Sequence, residues 1–463
     1  MEHLIDVALR KALELDAEYC DVRFYKGVEE SLRYVNGRLI DASRNTITGI
    51  GVRIIHKGAL GFSSTTILTE DSVRRCVEEA FNMAKAMIGK GEEIKLKETK
   101  VVKDNVIRKV AKDPFQADLK DKVELCVDAY KSALAVVKGS VTSRFGAVKI
   151  ERIFADTVGA YIREDITLTG LSCFITVSSE GRISLGLDYA GGSLGLELFK
   201  GKNSPEEIGR RAAIMARDKI KARGVTPGKY RVILGPEATG VLVHESFGHL
   251  SEADHVLEGA SPLKGRLGEK LAAECVTIVD EGEPAYGGFL IRYDDEGVRT
   301  RRVEIVKNGV LREYLHSRET AFKLNANLTG NGRAQNFNFD PIVRMRNTFI
   351  EKGDYKLEEL LEELKDGLYI DREFGGHCDL SGTFMFRNIK VYKVENGEIK
   401  EPLRDVSITG SILELLKNIE AVGKDVKIIS GPFGACGKGE QWVYVGLGGP
   451  HILVKNVTVG GAR

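Results

Sequence analysis

His244-Glu245-Ser246-Phe247-Gly248-His249 brings two imidazoles and a carboxylate into one short stretch. Two imidazoles and a third donor can hold a divalent metal, and a carboxylate beside them can act as general base toward water. The spacing is HExxxH, one residue longer than the HExxH of ordinary zinc proteases. On an ideal α-helix, residues i and i+4 share a face, but i and i+5 are splayed by roughly 140°. For both rings to reach one ion the helix must bulge, end or bend, and Gly248 offers a place for it. The motif therefore predicts a distorted turn over Ser246–Gly248.

A catalytic zinc needs three protein ligands and an open position for water. Glu252, Asp254 and His255 follow closely, and His3, His56, His316, His377 and His451 lie further off. Seven scattered cysteines (Cys20, Cys76, Cys126, Cys173, Cys275, Cys378 and Cys436) contain no CxxC pair, which favours reduced thiols over a disulfide framework. Cys436 stands out for its setting, GPFGACGKGEQW, where small neighbours would leave it accessible and Lys438 could favour the thiolate. Thiolate with imidazole favours zinc over magnesium or calcium. Other clusters have plainer readings. Asp294-Asp295-Glu296 before Gly297 reads as a solvated acidic turn, and Arg299, Arg301 and Arg302 as the solvent face of a strand. His377-Cys378-Asp379 cannot all serve one ion, because neighbours on a strand face opposite ways. GKGEQWVYVGLGG lacks the GxxxxGK[ST] of a phosphate loop, so nucleotide binding is not expected.

The elements that must position these groups can be read from periodicity. At 463 residues the chain is too long for one ordinary core. An amphipathic helix opens it, without the apolar core or cleavage site of a signal peptide. Short strands follow over 21–67, with Asn36-Gly37 as a hairpin turn. Helices are expected at 70–88, 119–137 and from Ser204-Pro205 to about 224, separated by a charged surface connection over 89–113 and antiparallel strands over 143–198. VTPGKY (225–230) is the expected domain boundary. The division is then an α/β domain over 1–225, with a sub-boundary near 90–115, and a β-rich catalytic domain over 226–463. RVIL (231–234) leads into a helix that starts at Pro236 and carries the motif in its C-terminal half. Beyond it Asn308-Gly309 and Asn396-Gly397 mark hairpins, and WVYVGLGGPHILVKNVTV reads as two strands around a glycine turn. Fifty-one glycines exceed the usual ~7% and suit tight turns and close backbone approach. Sixty-eight Lys and Arg against 67 Asp and Glu leave a net charge of +1. No global field argues for nucleic acid or an anionic membrane as partner. A soluble, cytoplasmic α+β protein is expected.

Longer stretches carry a resemblance. PGKYRVILGPEATGVLVHESFGHLSEAD, then IRYDDEGVRTRRVEIVKNGVL, TGNGRAQNFNFDPIVRMRNTF, GGHCDLSGTFMF and CGKGEQWVYVGLGGPHI resemble the TldD/PmbA family of metallopeptidases. So does YVNGRLIDASRNTITGIGVRIIHKGALGFSST near the start, so the likeness runs along nearly the whole chain in the family's order. That family contains catalytic TldD-type subunits and TldE/PmbA-type partners lacking the metal motif. Because His244, Glu245, His249 and Cys436 are all present, the resemblance implies the catalytic type, with zinc on His244, His249 and Cys436. It also implies a dimer, with a TldE/PmbA-type homologous subunit or with itself. His255, just after Asp254, is an extra imidazole that keeps it and Glu252 as alternative ligands.

The expected activity is zinc-dependent hydrolysis of peptide bonds in peptides or unfolded segments, with Glu245 activating the water. The substrate would pair with a strand edge near residues 436–450. The alternative is a metal-binding structural or regulatory subunit of a two-subunit protease, with little activity alone.

Overall fold

A computed structural model of the chain describes residues 1–433 and 435–461. Seven strands make the first sheet: β1 (Tyr19–Val35), β2 (Arg38–His56), β3 (Ala59–Thr65), β4 (Lys103–Ile107), β5 (Ser140–Asp156), β6 (Tyr161–Ser179) and β7 (Arg182–Gly192). Their order is β3-β2-β1-β5-β6, and both β4 and β7 pair with the far side of β6. Asn36 (φ 47°) and Gly37 (φ 86°) turn β1 into β2, the pair of positive φ values that a two-residue hairpin requires.

Helices α1 (Glu2–Glu14) and α2 (Glu70–Met87) bury Ile5, Val73, Val77 and Phe81 against Val22, Val52 and Ile54 of this sheet. Helices α3 (Leu119–Val136) and α4 (Pro205–Lys219) bury Cys126, Ile208 and Ala212 against Phe145, Leu171 and Ile175. Local chemistry starts these helices where expected: the Thr69 side chain accepts from the Ser72 N–H, and that of Ser204 from the Glu207 N–H, with Pro205 next in line. The charged stretch 89–113 is not only a surface connection. Lys103–Ile107 within it is a strand parallel to β6, and its alternation buries Val106 while leaving Lys103, Asn105 and Ile107 outside. A strand with a single buried anchor hides easily among lysines.

Residues 223–461 supply an eight-stranded and a six-stranded sheet. The first includes Gly228–Leu234, Gly367–Cys378, Thr383–Glu395, Val406–Ser411 and Ile452–Gly461; the second includes Ile278–Asp280, Asn347–Ile350, Gly446–Gly449 and Lys427–Ile429. Helix α5 (Pro236–Val243) packs against strands of both, sharing a core with Val232, Leu234, Ile350 and Ile370. A Cβ on Gly240 would strike the Gly448 backbone, so α5 lies directly against the second sheet there. The glycine turn before Pro450 does not close a hairpin as expected. Gly446–Gly449 sits between Asn347–Ile350 and Lys427–Ile429, whereas Ile452–Gly461 crosses into the other sheet. Gly446–Gly449 therefore offers no free edge. Among the described residues, no helix is long and apolar enough to cross a membrane.

The acidic turn Asp294-Asp295-Glu296 is not solvated. Asp294 and Glu296 are buried, and arginines of the first sheet reach Glu296 and Asp295: Arg53 Nη1 lies 2.9 Å from Glu296 Oε1, and Arg152 Nη1 3.0 Å from Asp295 Oδ1. Arg53 also holds Asp21 at 2.7 Å. Asp294 accepts backbone N–H groups of Glu296, Val298 and Gly332; burial and the nearby Glu296 push its carboxyl up to about 8. Removing one partner of such a buried pair leaves an uncompensated charge at a cost of about 3–5 kcal/mol. Arg53→Ala should lower the urea midpoint by that equivalent; an unchanged midpoint would show that this junction contributes nothing.

Candidate metal centre

The awkward spacing of the motif is resolved by a change of helix type. Helix α5 runs as an α-helix through Val243, becomes a π-helix over the five residues His244–Gly248, and tightens to a 3-10 turn over His249–Ser251. An i→i+5 bonded turn brings His249 round above His244. The rings meet edge to face with centroids 5.4 Å apart. The distortion is wider than Ser246–Gly248, starting at His244 itself. Gly248 has ordinary helical φ (−57°), so it does not serve as a hinge. Its role is space, since a Cβ there would strike Met345 Sδ.

Cys436, from the strand Cys436–Lys438, brings Sγ to 3.3 Å from His249 Nε2. Donor atoms of His244, His249 and Cys436 all lie within 4.8 Å of one another. His244 is 1% exposed, yet among the described residues neither of its ring nitrogens meets a partner in hydrogen-bond geometry, the Cys436 thiol being its nearest polar neighbour by charge. An unpaired buried polar group costs free energy and calls for an explanation, such as an ion. Two nitrogens and a thiolate in a buried cluster suit zinc.

The thiol is not accessible, contrary to its small neighbours: Cys436 is 5% exposed, and Arg344, itself fully buried, holds its carbonyl. Nor does Lys438 face it. Lys438 Nζ donates to Glu252 Oε2 at 2.9 Å, to both Asp254 oxygens at 2.7 Å and to the Val343 carbonyl. The imidazoles supply the charge instead. Burial alone would raise the Cys436 thiol, but His244 and then His249 bring it down to about 5. Burial opposes a charged His249, yet Glu252 foremost raises that ring well above its ordinary value. Burial likewise opposes a charged Glu252, while His249 and Lys438 hold it down at about 2.

Glu252 and His255 sit one layer out. Glu252 Oε2 lies 3.0 Å from His249 Nδ1, which leaves Nε2 facing Cys436, and His255 lies beyond, 3.7 Å from Glu252. Glu252, Asp254 and His255 form a second group with ligand spacing, but the Lys438 ammonium bonds to both of its carboxylates. The remaining histidines are scattered. His316 bonds Thr320, and burial drives its pKa to about 4; His451 meets Tyr369, and His3 meets Glu70. Of the His377-Cys378-Asp379 run, only Cys378 comes near, its burial-raised thiol beside Ser246; Asp379 caps its own turn through Ser381 and Thr383.

Glu245 is half-exposed, with Oε2 4.0 Å from His249 Nε2. It faces a cavity of about 330 Å³ shared with His244 and Cys436 and walled by Tyr189, Ile429, Phe433, Val445 and Leu447. Leu187, Tyr189 and Gly191 of β7 complete it. No sequence signal marks β7, Arg344 or Met345 for this site, because all depend on contacts between distant segments. Glu252 is visible by its proximity to the motif, and the structure sets it against His249 Nδ1.

A buried nitrogen-and-sulfur cluster with a carboxylate at a cavity's edge is the constellation of a metal-dependent hydrolase. The chain belongs to the PmbA/TldD family of metallopeptidases. Residues 20–84 match the model of PmbA/TldA metallopeptidase domain 1, 112–220 the central domain and 227–461 the C-terminal domain. A metalloprotease of Methanocaldococcus jannaschii is 37% identical over 95% of this chain and 96% of its own. The zinc metalloprotease TldD homolog of Saccharolobus solfataricus is 31% identical over 98% of this chain and 99% of its own. A solved structure of a putative modulator of a DNA gyrase from Thermotoga maritima superposes with TM-score 0.83 at 27% identity, covering 99% of this chain and all (100%) of its own. TldE from Thermococcus kodakarensis shares the fold, with TM-score 0.81 at 21% identity and full (100%) coverage of both chains.

The contact under the π turn can be tested directly. Gly248→Ala forces Met345 or the turn to move, an overpacking that costs about 1–3 kcal/mol. A denaturation midpoint unchanged from wild type would show that Met345 has room to yield.

Proposed function

We propose that this chain is a zinc-dependent metallopeptidase that hydrolyses peptide bonds in peptides or unfolded segments. The observation that carries this reading is the buried His244–His249–Cys436 cluster, with unpartnered nitrogens on His244 and with Glu245 beside it at an open cavity. His244, His249 and Cys436 would hold zinc. When bound, zinc supplies polarisation of the scissile carbonyl and acidifies the attacking water. Glu245 accepts that water's proton on its carboxylate and passes it to the leaving amine. Glu252 keeps His249 in one tautomer and orientation through Nδ1.

The substrate lies extended along β7. That strand pairs only with β6 among the described residues, and the Leu187 carbonyl points away from β6 to take Arg372. By strand alternation the N–H and C=O groups of Ile183, Leu185, Tyr189 and Gly191 point the same way, the direction from which an added strand would pair once Arg372 yields the Leu187 carbonyl. Backbone pairing of this kind reads any unfolded sequence, while the apolar walls of the cavity favour an apolar side chain beside the cleaved bond. The chain works as two units, 1–225 and 226–463, in a dimer with a TldE/PmbA-type subunit or with itself. The similarity to a TldD homolog and the fold shared with TldE support that assembly.

Glu245→Gln tests the chemistry: it should keep zinc and lose about 10²–10⁴-fold in turnover of an unfolded fluorogenic peptide. A zinc-loaded variant cleaving at the wild-type rate would overturn the assignment. Cys436→Ala should lose zinc by elemental analysis, whereas full retention would move the third ligand to another residue. Cleavage by the isolated chain would eliminate the reading of a metal-binding subunit with little activity alone.

A further inference from the structure

Cys436 reaches the two histidines from a segment whose approach is governed by the first sheet. Gly146 of β5 pairs directly with Gly170 of β6, and Gly170 pairs directly with Gly191 of β7. Three glycines therefore stand in a row across three adjacent strands. None has a positive φ, so backbone conformation does not require glycine at any of them. Close approach does. A Cβ on Gly146 would lie 2.9 Å from Pro432 Cγ and 3.0 Å from Phe433 Cε1. A Cβ on Gly170 would lie 2.9 Å from both Pro432 Cδ and Phe433 Cε2, and one on Gly191 would collide with the Ser430 carbonyl. A Cβ on Gly192, next along β7, would meet nothing within 4 Å among the described residues.

Residues 430–433 thus lie in a trough that only glycine leaves open. They connect the strand Lys427–Ile429 to Cys436, and Phe433 is one wall of the cavity that Glu245 faces. On the far side, Arg344 grips the carbonyls of Cys436 and Gln441, and Lys438 is tied to Glu252 and Asp254. Cys436 is suspended between these two anchorages.

We infer that Gly146, Gly170 and Gly191 are positioning residues for Cys436: the trough they form seats Pro432 and Phe433 and so sets the thiol against His244 and His249. This rests on the zinc reading above for its consequence, though not for its geometry. A side chain in the trough lifts the segment and withdraws Cys436 from the imidazoles, leaving the histidines and their helix untouched.

The experiment uses the full chain with Gly170→Ala, Gly191→Ala and, as a control in the same strand, Gly192→Ala. Two quantities are read: zinc affinity by competition with a chelator, and the rate at which iodoacetamide alkylates Cys436 in metal-free protein, located by mass spectrometry. Gly170→Ala and Gly191→Ala should weaken zinc about tenfold or more, the scale on which supporting residues alter metal affinity. They should also speed alkylation of Cys436, with Gly192→Ala matching wild type in both. Phe433→Ala removes the seated ring from a position 43% exposed, where truncation costs little burial, and should shift both readings in the same direction. Wild-type affinity and alkylation in Gly170→Ala, or equal changes in Gly192→Ala, would overturn the inference, as would an unaltered Phe433→Ala if the trough variants fail to fold. A wild-type chain that binds no zinc would sink the metal reading alone, because the alkylation rates would still report the position of Cys436.

Discussion

Two imidazoles five residues apart must share a face, and most of what surrounds the centre follows from meeting that demand. An α-helix cannot do it, so the chain inserts one π turn, which sacrifices regular i→i+4 bonding over His244–Gly248. Such a turn survives only where packing over-determines it. Helix α5 is held between two sheets, Gly240 admits Gly448 on one side, and Gly248 admits Met345 on the other. The abundant glycines of the C-terminal half thus have a structural meaning. They let backbones approach until an irregular turn has nowhere else to go.

Charge is organised in two layers around that turn. Inside, burial opposes ionisation of the Cys436 thiol, while the adjacent His244 and then His249 rings bring it down to about 5. A dication held by such a cluster would displace its protons, which is the exchange that makes metal binding pH-dependent and couples it to folding. Outside, Glu252, Asp254 and Lys438 form a compensated group that aims His249 and fastens the strand bearing Cys436. A similar logic operates at the junction with the first sheet, where Arg53 and Arg152 meet the acidic turn 294–296. The first sheet is therefore part of the site's construction, through β7 along the cavity and through the contacts under residues 430–433.

Legibility in the sequence tracked the range of the interactions involved. The start of α2 near Glu70, the start of α4 at Ser204 and the hairpin at Asn36-Gly37 were all readable, because helical periodicity, caps and positive-φ turns are settled within a few residues. The strand at Lys103–Ile107 was not, since one buried valine gives no periodicity. Asp294-Asp295-Glu296 looked solvated because its arginine partners Arg53 and Arg152 lie far away in the chain. Lys438 looked like the thiol's partner because it is near in sequence, but the strand turns its ammonium toward Glu252.

From the sequence alone came the donors and the misfit. Two histidines and a glutamate at HExxxH spacing cannot lie on a regular helix, so a distorted turn was already required by helical geometry. Those are local facts of residue type and period. Tertiary structure decided the form of the turn, the burial that leaves both nitrogens of His244 without partners, and the approach of Cys436 across 187 residues. It also decided that Glu252 supports His249 from behind, outside the donor cluster. Each depends on how distant backbones meet and which charges they bury together, and no periodicity along a chain encodes that.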